Sequence, residues 1–303
     1  MEERLWSACS DGKVEEVGKL LQDSQIEINW QNDSQDSTTP LYIACEKGYI
    51  EIVKLLLNDK RVDINQGDLH NQSPLYITCY KQHMKIVKLL LNDERVDVNK
   101  AHNYGETPFY MACSYGNIET VKLLLKDKRV DINKATNDGW TPLYIVCNYG
   151  LLGIVNLLLN DERVDVNKAQ NQGATPFYIA CSQGHFEVVK LFLSDQRVDI
   201  NKPNEYNQTP FYIVCNKGRI EIVKLLLNDD SVDINKASED DETPFYSACR
   251  WGYIEIVKLL LNDKRTSIRK KNKEGKTVID IAKINNHSEV IKLIEEVDTG
   301  NHP

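Results

Sequence analysis

The sequence predicts an all-α fold made of stacked helix-turn-helix units with projecting loops. The main observation is a Thr-Pro or Ser-Pro dipeptide that returns every 34 residues. An apolar helical pattern and a Gly between helices return with the same period. Such a period is typical of stacked repeat proteins, in which each unit contacts its neighbours. The dipeptides are Thr39-Pro40, Ser73-Pro74, Thr107-Pro108, Thr141-Pro142, Thr175-Pro176, Thr209-Pro210 and Thr243-Pro244.

Each unit opens with a short helix. Thr39 is a favoured N-cap residue, and Pro40 suits the first helical position because its missing N–H has no helical partner there. Apolar residues recur on one face of this helix, and Gly48 is predicted to end it in a left-handed conformation. These signals predict a first helix of about two turns in every unit.

The second helix follows at once and is apolar around most of its circumference, so it must be covered on two sides. In the first internal unit only Glu51, Lys54 and Asn58 are left for water. A short extended segment, 61–65, then leads to a turn three residues before the next Pro. That turn position holds Ser37, Asn71, Gly105, Gly139, Gly173, Asn207, Asp241 and Gly275. All but Ser37 are residue types that accept positive φ.

This unit resembles the ankyrin repeat, whose signature reads Thr-Pro-Leu-His-x-Ala, then Gly, a Val-x-x-Leu-Leu helix and Asp-Val-Asn. One copy appears in full at 107–112, Gly116, 121–125 and 131–133. The resemblance implies an all-α ankyrin-repeat solenoid that binds another protein and is not an enzyme. The period exceeds the usual 33 by a residue after the second helix, and the signature His is replaced by Tyr42, Tyr76, Tyr110, Tyr144, Tyr178, Tyr212 and Tyr246. A phenol must find hydrogen-bond partners other than those of the imidazole.

The unit boundaries follow from the repeat. We expect an N-terminal capping unit at 1–35, a C-terminal capping unit at 274–297 and a tail at 298–303. The seven internal repeats are predicted at about 36–69, 70–103, 104–137, 138–171, 172–205, 206–239 and 240–273. The first cap has Lys19 where the first internal unit has Leu55, which indicates that Leu55 packs toward the preceding unit.

Composition limits the classes of partner that we expect for this chain. The net charge of −8 argues against nucleic acid, because phosphate binding depends on Lys and Arg. No apolar run approaches the ~18 residues of a membrane span, and no signal peptide is apparent. Seven of the eight cysteines recur at one repeat position, from Cys45 to Cys249, so we interpret them as buried thiols rather than disulfides. We expect a monomer in the cytoplasm, or also in the nucleus.

No residue cluster suggests catalysis, a cofactor or a metal. We expect the six histidines, His70, His83, His102, His185, His287 and His302, to be surface loop residues. An Asp recurs in the segment after the second helix, from Asp63 to Asp233. It could indicate calcium, but we interpret it as the loop-shaping Asp of Asp-x-Asn.

The candidate binding site follows from positions that vary between units. In the ankyrin family such positions lie on the loop tips and at the end of the first helix, where they form the concave face. Aromatic residues are enriched at interface hot spots. We therefore predict a partner-binding patch in three adjacent units at Tyr80, Tyr104, Tyr115, Trp140 and Tyr149, which Tyr206 and Trp251 extend. The alternative is that some of these rings pack over neighbouring loops.

Two oppositely charged loop tips lie near the C-terminal end. One tip holds Glu239, Asp240, Asp241 and Glu242, and the next holds Arg269, Lys270, Lys271, Lys273 and Lys276. Either the tips neutralise each other, or Arg269 to Lys273 serves nuclear targeting or binds an acidic partner. For the whole chain, an inhibitory regulator of an enzyme or transcription factor and an adaptor that bridges two proteins both stay open.

Overall fold

A computed structural model describes residues 1–298, which form eighteen α-helices and no β-strand. The helices are α1 (Glu2–Ser10), α2 (Val14–Leu20), α3 (Pro40–Lys47), α4 (Ile50–Asn58), α5 (Pro74–Tyr80), α6 (Met84–Leu91), α7 (Pro108–Ser114), α8 (Ile118–Lys126), α9 (Pro142–Asn148), α10 (Leu152–Leu159), α11 (Pro176–Gln183), α12 (Phe186–Leu193), α13 (Pro210–Asn216), α14 (Ile220–Leu227), α15 (Pro244–Trp251), α16 (Ile254–Asn262), α17 (Val278–Ile284) and α18 (Ser288–Asp298). The predicted all-α class is confirmed. The predicted tail lies outside the described residues, apart from the last residue of α18.

The first helix of the first internal repeat begins and ends as its sequence signals predict. The Thr39 hydroxyl oxygen accepts a hydrogen bond from the Tyr42 backbone N–H at 3.1 Å, and Pro40 is the first helical residue. Gly48 ends α3 with φ of 79°. The predicted turn positions also have positive φ, including Ser37 at 55°. Local chemistry therefore fixes both ends of this helix.

The chain divides into two compact units, with the boundary after Val146 within α9. In the first unit α1, α3, α5 and α7 pack in order, and α2, α4, α6 and α8 form a second row. In the second unit α11, α13, α15 and α17 pack in order beside a row of α10, α12, α14, α16 and α18. Each compact unit is thus a stack of helix pairs. From here on, the first and second unit are these two compact units, and the 34-residue segments are called repeats.

The core of the stack lies between the two rows of helices. Ile52, Val53 and Leu56 of α4 are fully buried, and so is Cys45 of α3. Each fully buried aliphatic side chain contributes roughly 1.5–3 kcal/mol of transfer free energy. A Cβ added at Gly18 would lie 4.0 Å from Leu55 Cδ1, which agrees with the predicted direction of Leu55 toward the preceding repeat.

An asparagine ladder joins the segments after the second helices. Asn65 Nδ2 donates to the Arg95 carbonyl oxygen at 2.7 Å, and Asn65 Oδ1 accepts from the Asp97 backbone N–H at 2.7 Å. Both partners belong to the next repeat. Asn29 and Asn99 repeat this pattern in the first unit, and Asn167, Asn201 and Asn235 repeat it in the second.

An arginine beside the ladder lies in the segment after the second helix, where the sequence predicts the additional residue of the 34-residue period. The Arg95 guanidinium pairs with Asp93 at 2.6 Å and donates to the Leu57 carbonyl oxygen of the preceding second helix at 3.0 Å. It therefore caps orphan carbonyl groups at that helix end. Arg61, Arg129, Arg197 and Arg265 make the same type of contact.

Candidate partner-binding surface

The ends of the first helices in the first unit bring two exposed tyrosines together. Tyr80 ends α5, and Tyr115 follows the last residue of α7. Because these helices pack side by side, the two rings meet edge to face, with centroids 4.9 Å apart and planes at 88°. The rings stay 37% and 49% exposed, respectively. Lys81 Nζ lies 5.3 Å from the centre of the Tyr80 ring and 3.3 Å from Glu46.

The loop tips of the same unit present two further large apolar side chains. Leu69 is 64% exposed and Tyr104 is 72% exposed. The tips are joined through the backbone, because the Asn103 N–H donates to the His70 carbonyl oxygen at 3.1 Å. The Asn137 N–H donates likewise to Tyr104 at 2.9 Å. Leu69 and Tyr104 are therefore exposed side chains on adjacent, mutually fixed tips.

Trp140 does not belong with these exposed residues. Its indole is half-buried and lies 5.4 Å from the Tyr144 ring, centre to centre. Gln72 and Glu106, at the same repeat position, are half-buried as well and hydrogen-bond to tyrosines of the preceding repeat. The position after the turn is therefore only partly exposed, because a tyrosine of a first helix lies beneath it.

The second unit carries the other predicted aromatic residues. Tyr149 follows α9 and is 55% exposed, and Trp251 ends α15 and is 54% exposed. Tyr206 lies on a loop tip, where its carbonyl oxygen accepts from the Glu239 N–H at 2.9 Å. A hydrogen bond to the Glu205 carboxylate raises the pKa of the Tyr206 phenol. This unit thus has an exposed aromatic set of its own.

The tyrosine in the place of the signature histidine links successive repeats, which sequence reasoning did not find. Tyr42 OH lies 3.2 Å from Asp68 and 3.0 Å from Gln72, both on the next loop. Tyr76 OH donates to Glu106 at 2.9 Å. Burial, followed by the Asp68 charge, raises the pKa of the Tyr42 phenol. The signal in the sequence was the polar residue 26 or 30 positions after most of these tyrosines.

The acidic tip near the C-terminal end is partly internal. Glu242 is only 4% exposed and pairs with Arg250 of its own repeat, while burial raises the pKa of the Glu242 carboxyl. On the next tip Lys276 pairs with Glu274 at 2.6 Å. Glu242 and Lys276 are thus each neutralised within their own repeat rather than across the two tips.

Most of the histidines lie in loops as predicted, but they are half-buried rather than exposed. His83, His185 and His287 are half-buried, and each covers the inter-helix Gly of the preceding repeat. Their Nε2 atoms lie 3.0 Å from the carbonyl oxygens of Glu46, Asn148 and Arg250, respectively. Because a carbonyl oxygen only accepts, each Nε2 must donate. His102 is half-buried too, His70 is exposed, and His302 lies outside the described residues.

The remaining chemistry candidates have structural roles. All eight cysteines are free and buried, and burial raises the pKa of the Cys9 thiol to about 12. The Asp63 carboxylate accepts from the Asn65 N–H at 2.9 Å, which is the loop-shaping role predicted for it. Within residues 1–298 no group of His, Cys, Asp or Glu side chains is arranged to hold a metal ion. No helix in that range is long and apolar enough to cross a membrane.

Comparison with known families agrees with this geometry. A family model described as ankyrin repeats, in three copies, matches residues 3–68, 61–136, 128–204, 193–272 and 212–301. These overlapping matches cover nearly all of the chain. A comparison with curated proteins returned no match.

Proposed function

The chain belongs to the ankyrin-repeat family, and from this premise we propose that it binds a protein partner through the ends of the first helices and the loop tips. Members of this family generally act as protein-protein interaction modules. We propose a binding role rather than a catalytic one, since the ankyrin-repeat family is typically non-enzymatic. A surface of aromatic side chains suits a protein partner better than a phosphate backbone.

The observation that carries this proposal is the exposed aromatic set of the first unit. The set comprises Tyr80 and Tyr115 in edge-to-face contact, with Tyr104 and Leu69 on the adjacent tips. Rings of this type supply large contact area with little loss of side-chain entropy. Tyr149, Tyr206 and Trp251 stand as proposed contacts in the second unit. Because Trp140 is half-buried, we propose that only the exposed part of its side chain contacts the partner.

The experiment compares partner capture by the wild type and by a Tyr80→Ala, Tyr104→Ala, Tyr115→Ala triple variant. We expect a protein that is retained by the wild type to be lost by the triple variant, as each aromatic anchor contributes roughly 1–4 kcal/mol at a hot spot. A matched control changes three exposed lysines of the second helices, Lys54→Ala, Lys88→Ala and Lys122→Ala. It removes surface side chains of similar size from a different row of helices.

Three outcomes decide the proposal. Loss of a specific protein in the tyrosine variant alone supports the aromatic surface. Loss in both variants, or loss only in the lysine variant, contradicts it. Circular dichroism on both variants must match the wild type, because a change in helicity would mean that the tyrosines hold the fold.

The adaptor role is favoured over the regulator role by one observation: each compact unit has its own exposed aromatic residues. An adaptor would bind two proteins at once, and an inhibitory regulator would bind one protein exclusively. Two captured partners that form a ternary complex with the chain would support the adaptor. Mutual exclusion would support the regulator.

We also propose that the chain works as a monomer in the cytoplasm, or also in the nucleus. Eight free, buried thiols support a reducing compartment. The basic tip from Arg269 to Lys273 is the candidate for nuclear targeting. Replacing Lys270 and Lys271 by Ala should exclude a fluorescent fusion from the nucleus if the tip has that role.

A further inference from the structure

The segment after α16 differs from its counterparts at one chemically important position. In six other repeats an aspartate carboxylate accepts a hydrogen bond from the backbone N–H two residues later, at 2.9–3.1 Å. These residues are Asp63, Asp97, Asp131, Asp165, Asp199 and Asp233. In the last internal repeat the same position holds Ser267.

Ser267 keeps the register of the aspartates. Its backbone N–H donates to Asn235 Oδ1 at 2.7 Å, just as the Asp233 N–H donates to Asn201 Oδ1 at 2.9 Å. The asparagine ladder therefore holds the serine in the place where the other repeats hold a carboxylate. What the serine lacks is the negative charge.

Ser267 is also the accessible hydroxyl of its segment. Ser267 is exposed and lies outside any helix. Thr266 stands where most repeats have a buried Val, and its Oγ1 is buried and makes no hydrogen bond. A modifying enzyme would reach Ser267 and not Thr266.

The sequence around Ser267 is rich in basic residues. Lys264 precedes it by three residues, and Lys270 and Lys271 follow it, all three exposed. Arg265 lies two residues before it and pairs with Asp263 at 2.7 Å. Charge patterns of this kind determine which serines a protein kinase selects, because the enzyme's acidic substrate groove attracts them.

We propose that Ser267 is a phosphorylation site for a protein kinase that selects basic sequences. In the reaction Ser267 Oγ forms a bond to the γ-phosphorus of ATP, while the bond from that phosphorus to the β,γ-bridging oxygen breaks. ADP leaves with that oxygen, and the hydroxyl proton passes to the general base of the kinase. No net oxidation or reduction occurs.

The phosphate would complete the series of anions along the repeats. Its charge of about −1.5 to −2 would stand near Lys264, Lys270 and Lys271 in the sequence. The modification would offset much of the positive charge of the basic tip. A partner that recognises that tip would then be released.

The test treats the folded, full-length chain with ATP and the catalytic subunit of cyclic-AMP-dependent protein kinase. We expect one phosphate per chain, located at Ser267 by peptide mass spectrometry and absent in Ser267→Ala. Ser231→Ala is the matched control, because Ser231 is exposed but flanked by Asp229 and Asp230. Lys264→Glu should slow the reaction by at least about tenfold through charge reversal.

The outcomes are separable from those of the proposed protein-binding role, since no partner is present. No phosphate on the folded wild type, or equal labelling of Ser267→Ala, overturns the proposal.

Discussion

The two compact units depart from the repeat in different places. The first unit keeps the arginine in each of its internal repeats, at Arg61, Arg95 and Arg129, but has Gln82 at an inter-helix turn. The second unit keeps Gly at all four of its turns between paired internal helices, from Gly150 to Gly252. It replaces an arginine by Ser231 and an aspartate by Ser267.

This difference shows that the asparagine hydrogen bonds of the ladder do not depend on the arginine beside them. Asn201 Nδ2 donates to the Ser231 carbonyl oxygen at 2.7 Å, the same distance at which Asn99 Nδ2 donates to Arg129. The asparagine contacts only backbone atoms of the next repeat, so a change of the neighbouring side chain leaves its bonds intact. The arginine adds a cap that the second unit omits once. Loss of an asparagine should therefore cost more than loss of an arginine.

The largest effect is expected for Asn99→Ala. This change removes the hydrogen bond to the Arg129 carbonyl oxygen at 2.7 Å and the one from the Asp131 N–H at 2.8 Å. Two lost hydrogen bonds lower the free energy of unfolding by about 2 kcal/mol. Urea denaturation measures the change. Asn99→Asp keeps the acceptor and should lose about half as much; an equal loss would mean that the donor bond carries the effect.

A smaller loss, about 1 kcal/mol, is expected for Arg129→Ser, which copies the Ser231 rung into the first unit. The variant loses the hydrogen bond to the Leu91 carbonyl oxygen at 2.8 Å and the pair with Asp127 at 2.6 Å. The same urea titration compares it with Asn99→Ala. If Arg129→Ser is the more harmful of the two, the order of the two parts of the ladder is reversed.

The pH dependence of that loss identifies the charge pair. The hydrogen bond from Arg129 lowers the pKa of the Asp127 carboxyl in the folded state. Its contribution to stability is therefore fully present above the unfolded pKa of about 3.9 and is lost as pH falls through the lower folded value. The difference between the wild type and Arg129→Ser should shrink below about pH 4. A difference that stays constant down to pH 2 would assign the whole effect to the carbonyl cap.

The parts of this molecule that the sequence predicts are those in which the signal is local. The N-cap at Thr39, the helix end at Gly48 and the turn at Asn71 each depend on residues within one turn of chain, and all are observed. The hydrogen bond of Tyr76 to Glu106 spans 30 residues, and the position of Trp140 depends on a ring beneath it. Variation alone could not distinguish Trp140, which varies because of packing, from Tyr104, which is exposed.

Replacing Ser231 by the arginine that other repeats have is expected to raise the free energy of unfolding by about 0.5–1 kcal/mol. In Ser231→Arg the new guanidinium can pair with Asp229, which Ser231 Oγ now contacts at 2.6 Å, and can donate to the end of α12. Thermal unfolding followed by circular dichroism detects the gain. Ser231→Gln supplies a side chain without the charge and should give less; a gain equal to that of Arg would assign the benefit to chain length.

The smallest effect is expected where the first unit departs from the repeat, at Gln82. Gln82 has φ of 63° at a position that is Gly in most repeats, and a left-handed conformation costs a residue with a Cβ roughly 1 kcal/mol. Gln82→Gly relieves that cost but makes the unfolded chain more flexible, which leaves a net gain of about 0.5 kcal/mol. The reverse change at the next turn, Gly116→Gln, places a Cβ at φ of 71° and should lower stability by a similar amount. Opposite signs for this pair in thermal unfolding would assign the cost to the backbone. If both variants are destabilised, the Gln82 side chain makes a contribution that outweighs its backbone strain.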